Sequence, residues 1–294
     1  MKILYFDCFS GISGDMTIGA LLDAGGDPAY LKQELRKLDI EDEYELKITQ
    51  VVKNGITSTK FDVILPENEH THHHHHEHGH HHHEHHHDHS HGDHHHHHHN
   101  DHGHDHHDNA QHDHYHDHEH THHHDHRSYQ QIVKMIKSAE FSAKVENNAV
   151  DIFKRIGEAE AKIHGTTLEE VHFHEVGAVD SIIDIVGTAI LLDQLHIDKV
   201  ISSSIPVGSG SIHIDHGIYP VPAPATLEIL KGTPIATTDL TGELTTPTGA
   251  AIIAELATAF STMPTMEVES IGYGAGTRNY PNHPNVLRVI IGEE

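Results

Sequence analysis

The 294-residue sequence contains no tryptophan and only one cysteine, Cys8. A single cysteine cannot form an intramolecular disulfide, which fits a reducing compartment. Long apolar runs are also missing: the first is broken at Asp7, and the longest later one, residues 185–192, is bounded by Asp184 and Asp193. Both are too short for a signal peptide or a membrane span. We therefore expect a soluble, cytoplasmic protein without a membrane partner.

Positive charge is scarce in this sequence. Lysine and arginine total 18 residues against 45 aspartates and glutamates, which gives a formal net charge of −27. Non-specific binding of nucleic acid depends on lysine and arginine displacing counterions from the phosphates, so nucleic acid is not an expected partner. An acidic balance instead suits divalent cations and substrates that arrive with a metal.

Histidine is the residue type in large excess. Of 42 histidines, 35 lie in residues 70–126, a window with no lysine or arginine and only two apolar residues, Ala110 and Tyr115. Such a window cannot build a hydrophobic core, so we predict a disordered insertion. Residues 1–69 and 127–294 are then expected to form a single core of the α/β class, with a mixed α+β arrangement as the alternative.

The histidine-rich insertion is predicted to bind metal. Imidazole nitrogen suits zinc, copper, iron and nickel, and a flexible chain can wrap several ions at once. The expected ligands are spread along the insertion and include His72, His82, His96 and His123. The alternatives are an expression tag and a neutral low-complexity expansion, although a tag is a short homopolymer at a terminus and this segment is internal and mixed.

Hydrophobic periodicity and turn residues predict both strands and helices in the core. Strands are predicted at residues 3–6, 44–52, 61–65, 199–205, 211–214, 266–271 and 285–291. Helices are predicted at about residues 15–25, 28–38, 129–137, 143–164, 178–195, 223–231 and 246–259.

The segment DCFSGISGD, residues 7–15, leaves a strand and enters a helix. Small residues there expose backbone N–H groups at a helix N-terminus, a geometry that binds anions. The expected cofactor-binding residues are Ser10, Gly11, Ser13 and Gly14. Asp7 and Asp15, at the two ends, could hold a divalent ion that bridges to a phosphate. The lysine of a P-loop is absent, which excludes a Walker-type nucleoside triphosphatase. In the alternative, Asp15 only caps the helix and the glycines form a tight turn.

The segment HFHEVGAVDSIID, residues 172–184, concentrates nitrogen and oxygen ligands. His172 and His174 project to one side of an extended chain, and Asp180 and Asp184 share a helix face. Such a set without thiolate suits manganese, magnesium, nickel or zinc. In the alternative, Asp180 complements the helix dipole and the histidines are surface residues. Asp184 lies in the densest apolar stretch, where a carboxylate needs a partner.

Three further features are weaker candidates. Residues 208–217 predict a hairpin on which His213 could ligate metal or exchange protons. Thr246 opens a helix that could bind an anion, and Arg278 lies in a glycine-rich loop and could grip a phosphate. The structural alternatives are a turn-lining histidine, plain helix capping and a simple strand connection.

Five segments carry a resemblance to a known family. They are YFDCFSGISGDM, HFHEVGAVDSIIDIVG, GSGSIHIDHGIYPVPAPAT, ELTTPTGAA and GYGAGTRNYPNHPNVLR. In this order, and over nearly all of the chain outside the insertion, they resemble the LarC-type nickel insertion protein family of nickel-pincer nucleotide biosynthesis. The resemblance implies a nickel chelatase of the lyase class. Such an enzyme inserts Ni(II) between the two sulfurs and the ring carbon of pyridinium-3,5-bisthiocarboxylic acid mononucleotide, and it consumes CTP with Mn(II) or Mg(II). The product serves lactate racemase-type enzymes.

The resemblance also implies a division of labour. Family members continue into a ferredoxin-like C-terminal domain to which CTP binding belongs, so we expect this chain to be an N-terminal half that needs such a partner domain or an oligomer. Forming a nickel–carbon bond requires a base for the ring proton, and the candidates are His172, His174, Glu175 and His213. Asp7, Asp15, Asp180 and Asp184 would hold divalent metal or metal-bridged phosphate. The alternative function is a nickel storage protein or metallochaperone without catalysis.

Overall fold

The computed structural model describes residues 1–66, 127–173, 176–214 and 217–294. The histidine-rich insertion, with its predicted disorder and metal binding, lies outside the described residues. The helices are α1 Gly14–Asp23, α2 Pro28–Leu35, α3 Tyr129–Ser138, α4 Ala143–His164, α5 Val179–Gln194, α6 Pro224–Ile229 and α7 Pro247–Leu256. The strands are β1 Lys2–Asp7, β2 Glu45–Lys53, β3 Ile56–Ile64, β4 Lys199–Ser202, β5 Ile205–Pro206, β6 Gly208–Ser209, β7 Ser211–Ile214, β8 Gly217–Pro220, β9 Ile235–Ala236, β10 Gly242–Glu243, β11 Ala259–Phe260, β12 Glu267–Ala275 and β13 Val286–Glu293.

Seven strands of the described chain form one mixed sheet in the order β11-β4-β1-β13-β12-β3-β2. Strand β1 runs parallel to β4 and antiparallel to β13. Strand β3 runs parallel to β12 and antiparallel to β2. The prediction of an α/β fold is confirmed in its mixed form, with a large central sheet to which strands from before and after the insertion contribute. The predicted division into one core and one insertion stays a prediction.

The main core lies between the sheet and the helices. Side chains alternate between the two faces of a strand, and in β1 Leu4 and Phe6 join the large core while Ile3 and Tyr5 join a small separate cluster. Helix α1 lies on β12 and β3, α5 packs against α1, and α4 packs against α5 and α7. In the described segments, no helix is both long and apolar enough to cross a bilayer.

Helix α1 approaches strand β12 so closely that a side chain does not fit between them. A Cβ atom at Gly274 would collide with the carbonyl oxygen of Met16, and one at Gly272 with that of Ala20. Glycines two residues apart face the same side of a strand, so together they open a groove for the helix. This contact holds the start of α1 beside strand β3.

Several element boundaries differ from the predicted ones. The helix predicted at 246–259 ends at Leu256, because Ala257 has an extended backbone (φ −73°, ψ 118°) and the chain continues into β11. The helix predicted at 28–38 ends at Leu35 and continues as a short 3-10 turn. The strand predicted at 199–205 is divided into β4 and β5. The hairpin predicted within residues 208–217 is confirmed as the antiparallel pair of β7 and β8.

Candidate functional site

The N-termini of three helices face one cavity of about 410 Å³. Helix α1 contributes residues 13–15, α5 contributes Asp180, Ser181 and Asp184, and α7 contributes residues 246–248. Residues 60–63 of strand β3 line the same cavity. Three of the segments singled out in the sequence therefore meet at one place, although up to about 230 residues of chain separate them. We call this cavity the acidic pocket, after its aspartates.

The loops before α1 and α7 are tied together by their backbones. The N–H of Ile12 donates to the carbonyl oxygen of Leu244 (3.1 Å), and the N–H of Thr246 donates to that of Ile12 (3.1 Å). Gly11 has a φ of +88°, and a Cβ there would collide with the carbonyl of Leu244. Glycine at position 11 thus permits the two helix N-termini to lie side by side. The role of Gly11 is therefore to allow this backbone conformation, and this residue does not line the acidic pocket.

Thr246 is the N-cap of α7, as the sequence predicts. Its hydroxyl oxygen accepts a hydrogen bond from the N–H of Gly249 (3.2 Å), and Pro247 follows at the first helical position. Thr246 also lines the acidic pocket. Capping and a role in ligand contact are compatible, because one hydroxyl can accept and donate at once.

Asp15 and Lys60 form the ion pair of the acidic pocket. Lys60 Nζ lies 2.5 Å from Asp15 Oδ2 and 3.0 Å from Asp62 Oδ1, and Asp15 Oδ1 accepts from the hydroxyl of Ser13. Burial lowers the pKa of Lys60, but Asp15 and Asp62 outweigh it and leave the pKa raised. Lys60 therefore stays protonated. The sequence analysis missed it, because a lysine within an alternating strand is typical of a solvent-facing position.

Asp184 is the carboxylate with the least compensation. Its Oδ1 is buried and has no hydrogen-bond partner among the described residues. Burial, followed by the negative charges of Asp15 and Asp180, raises the pKa of Asp184 well above the usual carboxyl range, and Lys60 lowers it only in part. A Cβ at Gly14 would collide with the Asp184 carboxylate, so glycine there allows the side chain to enter. The N–H of Asp15 and the charge of Lys60 compensate this carboxylate in part, whereas its Oδ1 is left without a partner in the described residues.

Asp180 lies one turn before Asp184 on α5. Its Oδ1 accepts a hydrogen bond from the N–H of Ser181 (2.8 Å). Desolvation within the pocket raises the pKa of Asp180, the Ser181 N–H opposes this rise, and the charge of Asp15 adds to it. The α5 end of the pocket therefore holds two carboxylates that no lysine or arginine pairs within the described chain.

A smaller cavity of about 160 Å³ adjoins the acidic pocket. The two cavities share Ser13, Asp15, Glu243, Thr246 and Thr277. Arg278 lines the smaller one, and its guanidinium donates to the carbonyl oxygen of Glu243 (3.1 Å).

Lys53 holds the loop that carries Arg278. Its Nζ donates to the side chain of Asn279 (2.7 Å) and to the carbonyl oxygens of Thr277 and Arg278 (both 3.3 Å). Burial, followed by the charge of Lys60, lowers the pKa of Lys53. Lys60 and Arg278 each line a cavity, whereas Lys53 lines neither and supports the loop that carries Arg278.

The structure separates Asp7 from Asp15. The Asp7 carboxylate accepts from Nε of Arg288 (2.9 Å) and also from its terminal guanidinium nitrogen, whereas Asp15 pairs with Lys60. Asp7 lines neither cavity. The two ends of the motif that was predicted to bridge one metal ion thus have different partners.

Ser10 is fully buried and its hydroxyl is already engaged. It donates to the carbonyl oxygen of Pro284 (2.6 Å), so it accepts from Nε2 of His283, 2.8 Å away. A serine hydroxyl has one proton, which places the His283 proton on Nε2. Like Gly11, Ser10 fixes the loop, while Ser13 and Gly14 face the pocket.

The predicted histidine ligands do not gather at the acidic pocket. His172 and His213 are exposed and line neither cavity. His174 and Glu175 lie outside the described residues, as do His72, His82, His96 and His123. Within residues 1–66, 127–173, 176–214 and 217–294, no three histidine, cysteine, aspartate or glutamate side chains converge as a metal site. The ligand and base roles of all these residues stay predictions.

Cys8 is fully buried beside β4. Its Sγ lies 3.7 Å from the hydroxyl of Ser202. Burial raises the pKa of the Cys8 thiol to about 12. The side chain is therefore a neutral thiol, unlike the thiolate that binds metals.

The mixed α/β core directs three helix N-termini and the carboxylates of Asp180 and Asp184 into one cavity, an arrangement typical of ligand-binding proteins of the α/β class. Comparison with known proteins specifies the family. The family model described as "Nickel insertion protein" matches residues 4–294. This chain belongs to the nickel insertion protein family.

Three relatives carry the name "Pyridinium-3,5-bisthiocarboxylic acid mononucleotide nickel insertion protein". They come from Geobacillus kaustophilus (49% identical, 60% of its length covered), Clostridium kluyveri (46%, 63%) and Clostridium acetobutylicum (48%, 64%), each aligned over 100% of this chain. This chain thus spans somewhat less than two thirds of these relatives. No solved structure matches the chain significantly.

Proposed function

We propose that this chain takes part in inserting nickel into pyridinium-3,5-bisthiocarboxylic acid mononucleotide, at the acidic pocket. The observation that carries the proposal is Oδ1 of Asp184, a buried carboxylate oxygen without a hydrogen-bond partner in the described residues, placed where three segments of the family motif converge. A buried oxygen without a hydrogen-bond partner is stabilised when a cation or a hydrogen-bond donor binds to it. The names of relatives that are 46–49% identical supply the chemical identity of that ligand.

The chemistry requires a metal ion and a proton acceptor near the same carbon. In the product, nickel is bound by two sulfurs and a ring carbon, so the ring C–H bond must break. Its electron pair forms the bond to nickel, and its proton passes to a base. The carboxylates of Asp180 and Asp184 attract the incoming Ni(II), which is the cargo of the reaction.

We place the base at the α5 end of the acidic pocket. His172 and His213 are exposed and line neither cavity, which disfavours them. His174 and Glu175 remain candidates because they directly precede Val176, which lines the pocket. Asp184 is a third candidate, since its raised pKa brings a carboxylate closer to the basicity that proton abstraction needs at neutral pH.

CTP dependence, with Mn(II) or Mg(II), belongs to the same proposal. It is supported by the sequence resemblance and by the extra length of the relatives, of which this chain spans about 60–64%. We propose that a C-terminal partner domain or an oligomer supplies CTP binding, that the cytoplasm is the site of action, and that the product passes to a lactate racemase-type apoenzyme. The histidine-rich insertion would bind nickel and raise its concentration for the reaction.

A reconstitution tests this function. The purified chain is mixed with the bisthiocarboxylate mononucleotide, nickel, CTP and manganese, with and without the C-terminal part of the Clostridium kluyveri relative added in trans, and the nickelated nucleotide is measured by mass spectrometry. We expect product only when both parts are present. Asp184→Asn should abolish product, whereas Asp193→Asn, at the opposite end of α5, should not.

The alternative of nickel storage is favoured by one observation, the 35 histidines in residues 70–126. Storage predicts that the chain binds many nickel ions and that no combination of parts yields product. It also gives Asp184 no role, so Asp184→Asn would bind the same amount of nickel. Product formation that depends on Asp184 decides against storage as the sole function.

A further inference from the structure

The acidic pocket and the smaller cavity adjoin and together make up a cleft whose charged side chains are unevenly distributed. They share five lining residues, so a ligand can extend from one into the other. We define the acidic end by Asp180 and Asp184 and the basic end by Arg278. Asp15 and Glu243 line both cavities, and Lys60, which pairs with Asp15, lines the larger one. Asp180 and Asp184 line only the larger cavity, whereas Arg278 lines only the smaller one, so the two ends differ in charge.

The acidic end is suited to binding a positively charged group. No lysine or arginine of the described chain lies within ion-pair distance of Asp180 or Asp184. Oδ1 of Asp184 is buried and lacks a partner there. A buried acceptor is costly until a ligand satisfies it. The N-terminus of α5 stabilises these carboxylates partly, so they remain available to a cationic ligand.

The basic end has a guanidinium and two helix N-termini that favour a negatively charged group. Arg278 lines the smaller cavity, and the loop that carries it is held by Lys53 through Asn279 and two carbonyl oxygens. Ser13 and Thr246, at the starts of α1 and α7, line the same cavity. Helix N-termini together with a guanidinium favour a phosphate. Both helices have ten residues, long enough for their backbone dipoles to add up.

We propose that the cleft binds a pyridinium mononucleotide in one orientation, with the cationic ring at Asp180 and Asp184 and the phosphate at Arg278 and the α1 and α7 N-termini. The proposal rests on the proposed function for the choice of a pyridinium nucleotide. It goes beyond that function by assigning each end of the ligand to named residues. Cavities of about 410 and 160 Å³ together lie in the range of small-molecule sites. In this orientation the reactive ring, not the phosphate, faces the carboxylates.

Three commercially available probes separate the two ends without nickel or turnover. Nicotinamide mononucleotide has a cationic ring and a phosphate, its reduced form has a neutral ring, and nicotinamide riboside lacks the phosphate. Isothermal titration calorimetry of the full chain should show the mononucleotide binding about tenfold more tightly than either of the other two. The variants are Asp184→Asn and Arg278→Met. Asp193→Asn and Lys231→Met remove equal charges outside the cleft and serve as controls.

The chain should prefer the cationic ring to the neutral ring and the mononucleotide to the riboside, and each variant should lose one of these two preferences and keep the other. Asp184→Asn should bind the oxidised and reduced mononucleotides equally, and should still prefer the mononucleotide to the riboside by about tenfold. Arg278→Met should bind the mononucleotide and the riboside equally, and should still prefer the cationic ring. Arg278→Lys should restore the phosphate preference in large part, because the charge returns. The controls should retain both preferences, and circular dichroism should show every variant folded.

Three results would overturn the orientation: no measurable binding of the mononucleotide, equal loss of both preferences in both variants, or an exchange of the two effects. These results are independent of the reconstitution described above. If nickel insertion occurs and the preferences are absent, the orientation is wrong and the proposed function stands. If the preferences are present and no product forms, the binding mode stands and nickel insertion by this chain is wrong.

Discussion

Two carboxylates, Asp7 at the end of β1 and Asp184 in the second turn of α5, lie in two segments of the family motif and have opposite environments. Asp7 accepts hydrogen bonds from the guanidinium of Arg288 on the neighbouring strand. Asp184 has a buried oxygen without a partner in the described chain and a raised pKa. A carboxylate with its own cation contributes to the fold, whereas one left unsatisfied marks a place for a ligand. Four mutational tests probe this difference, from the largest expected effect to the smallest.

The largest effect is expected from Gly14→Ala, which moves Asp184 without removing it. The new Cβ would collide with the Asp184 carboxylate, so the side chain must shift. A displacement of about 1 Å at a reacting centre can cost about a hundredfold in rate, and the overpacking should cost about 1–3 kcal/mol of stability. Product formation in the reconstituted system and urea unfolding measure the two effects. Unchanged product yield in a folded Gly14→Ala chain would show that the position of Asp184 is unimportant.

The second test removes the partner of Asp7. Arg288→Met should lower the free energy of unfolding by about 1–2 kcal/mol, because Asp7 is largely buried and loses its donors while Arg288 is partly exposed. Binding of the mononucleotide probes should not change. The double variant Asp7→Asn/Arg288→Met should recover part of the loss, since the charge that lost its partner is also gone. A loss of probe binding would place Asp7 at the functional site after all.

The third test uses pH. Because the folded-state pKa of Asp184 is raised above the ordinary value of 3.8, the folded chain binds this proton more tightly than the unfolded chain. Stability therefore falls as pH rises from about 4 through the raised pKa. Asp184→Asn removes this loss, so its melting temperature should exceed that of the parent by a few degrees at neutral pH and match it below about pH 4. If the melting temperatures of the parent and of Asp184→Asn change with pH in the same way, the pKa of Asp184 is not raised by burial.

The smallest effect on the core is expected from deleting residues 70–126. The deletion removes 35 histidines but only two apolar residues, and it shortens a connection, which changes the free energy of unfolding by about 1 kcal/mol or less. Stability and probe binding should persist, while equilibrium dialysis should show the loss of most bound nickel. At saturating nickel the reconstituted activity should remain. A folded but inactive deletion variant at saturating nickel would make the insertion part of the active site.

Motifs singled out in the sequence line the acidic pocket, but the sequence does not separate the residues that line it from those with partners elsewhere. Asp180, Asp184, Ser13, Gly14 and Thr246 do line one pocket. Asp7 and Ser10, in the same motif, instead hold the loop in place. The difference arises because a strand-to-helix turn places adjacent residues in different surroundings, and spacing along the chain does not reveal which partner each will meet.

Lys60 and Gly14 illustrate what sequence patterns omit. Lys60 is one of several lysines in an alternating hairpin, and only the approach of α1 to β3 brings it to Asp15. Gly14 resembles any turn glycine until the Asp184 carboxylate is seen against it. Both roles depend on contacts between elements far apart in the chain, which no local pattern encodes.

The sequence by itself determined the helices and the longer strands of the described chain, the α/β class, the family and the segments that line the acidic pocket. These follow from periodicity, turn residues and sequence motifs. The tertiary structure decided which carboxylates are paired and which are not. Pairing depends on the strand order that places β13 beside β1 and on the close packing of α1 against β12 and α5. Long-range packing sets the distance between charges and their access to water, and those two quantities control whether an aspartate stabilises the fold or awaits a ligand.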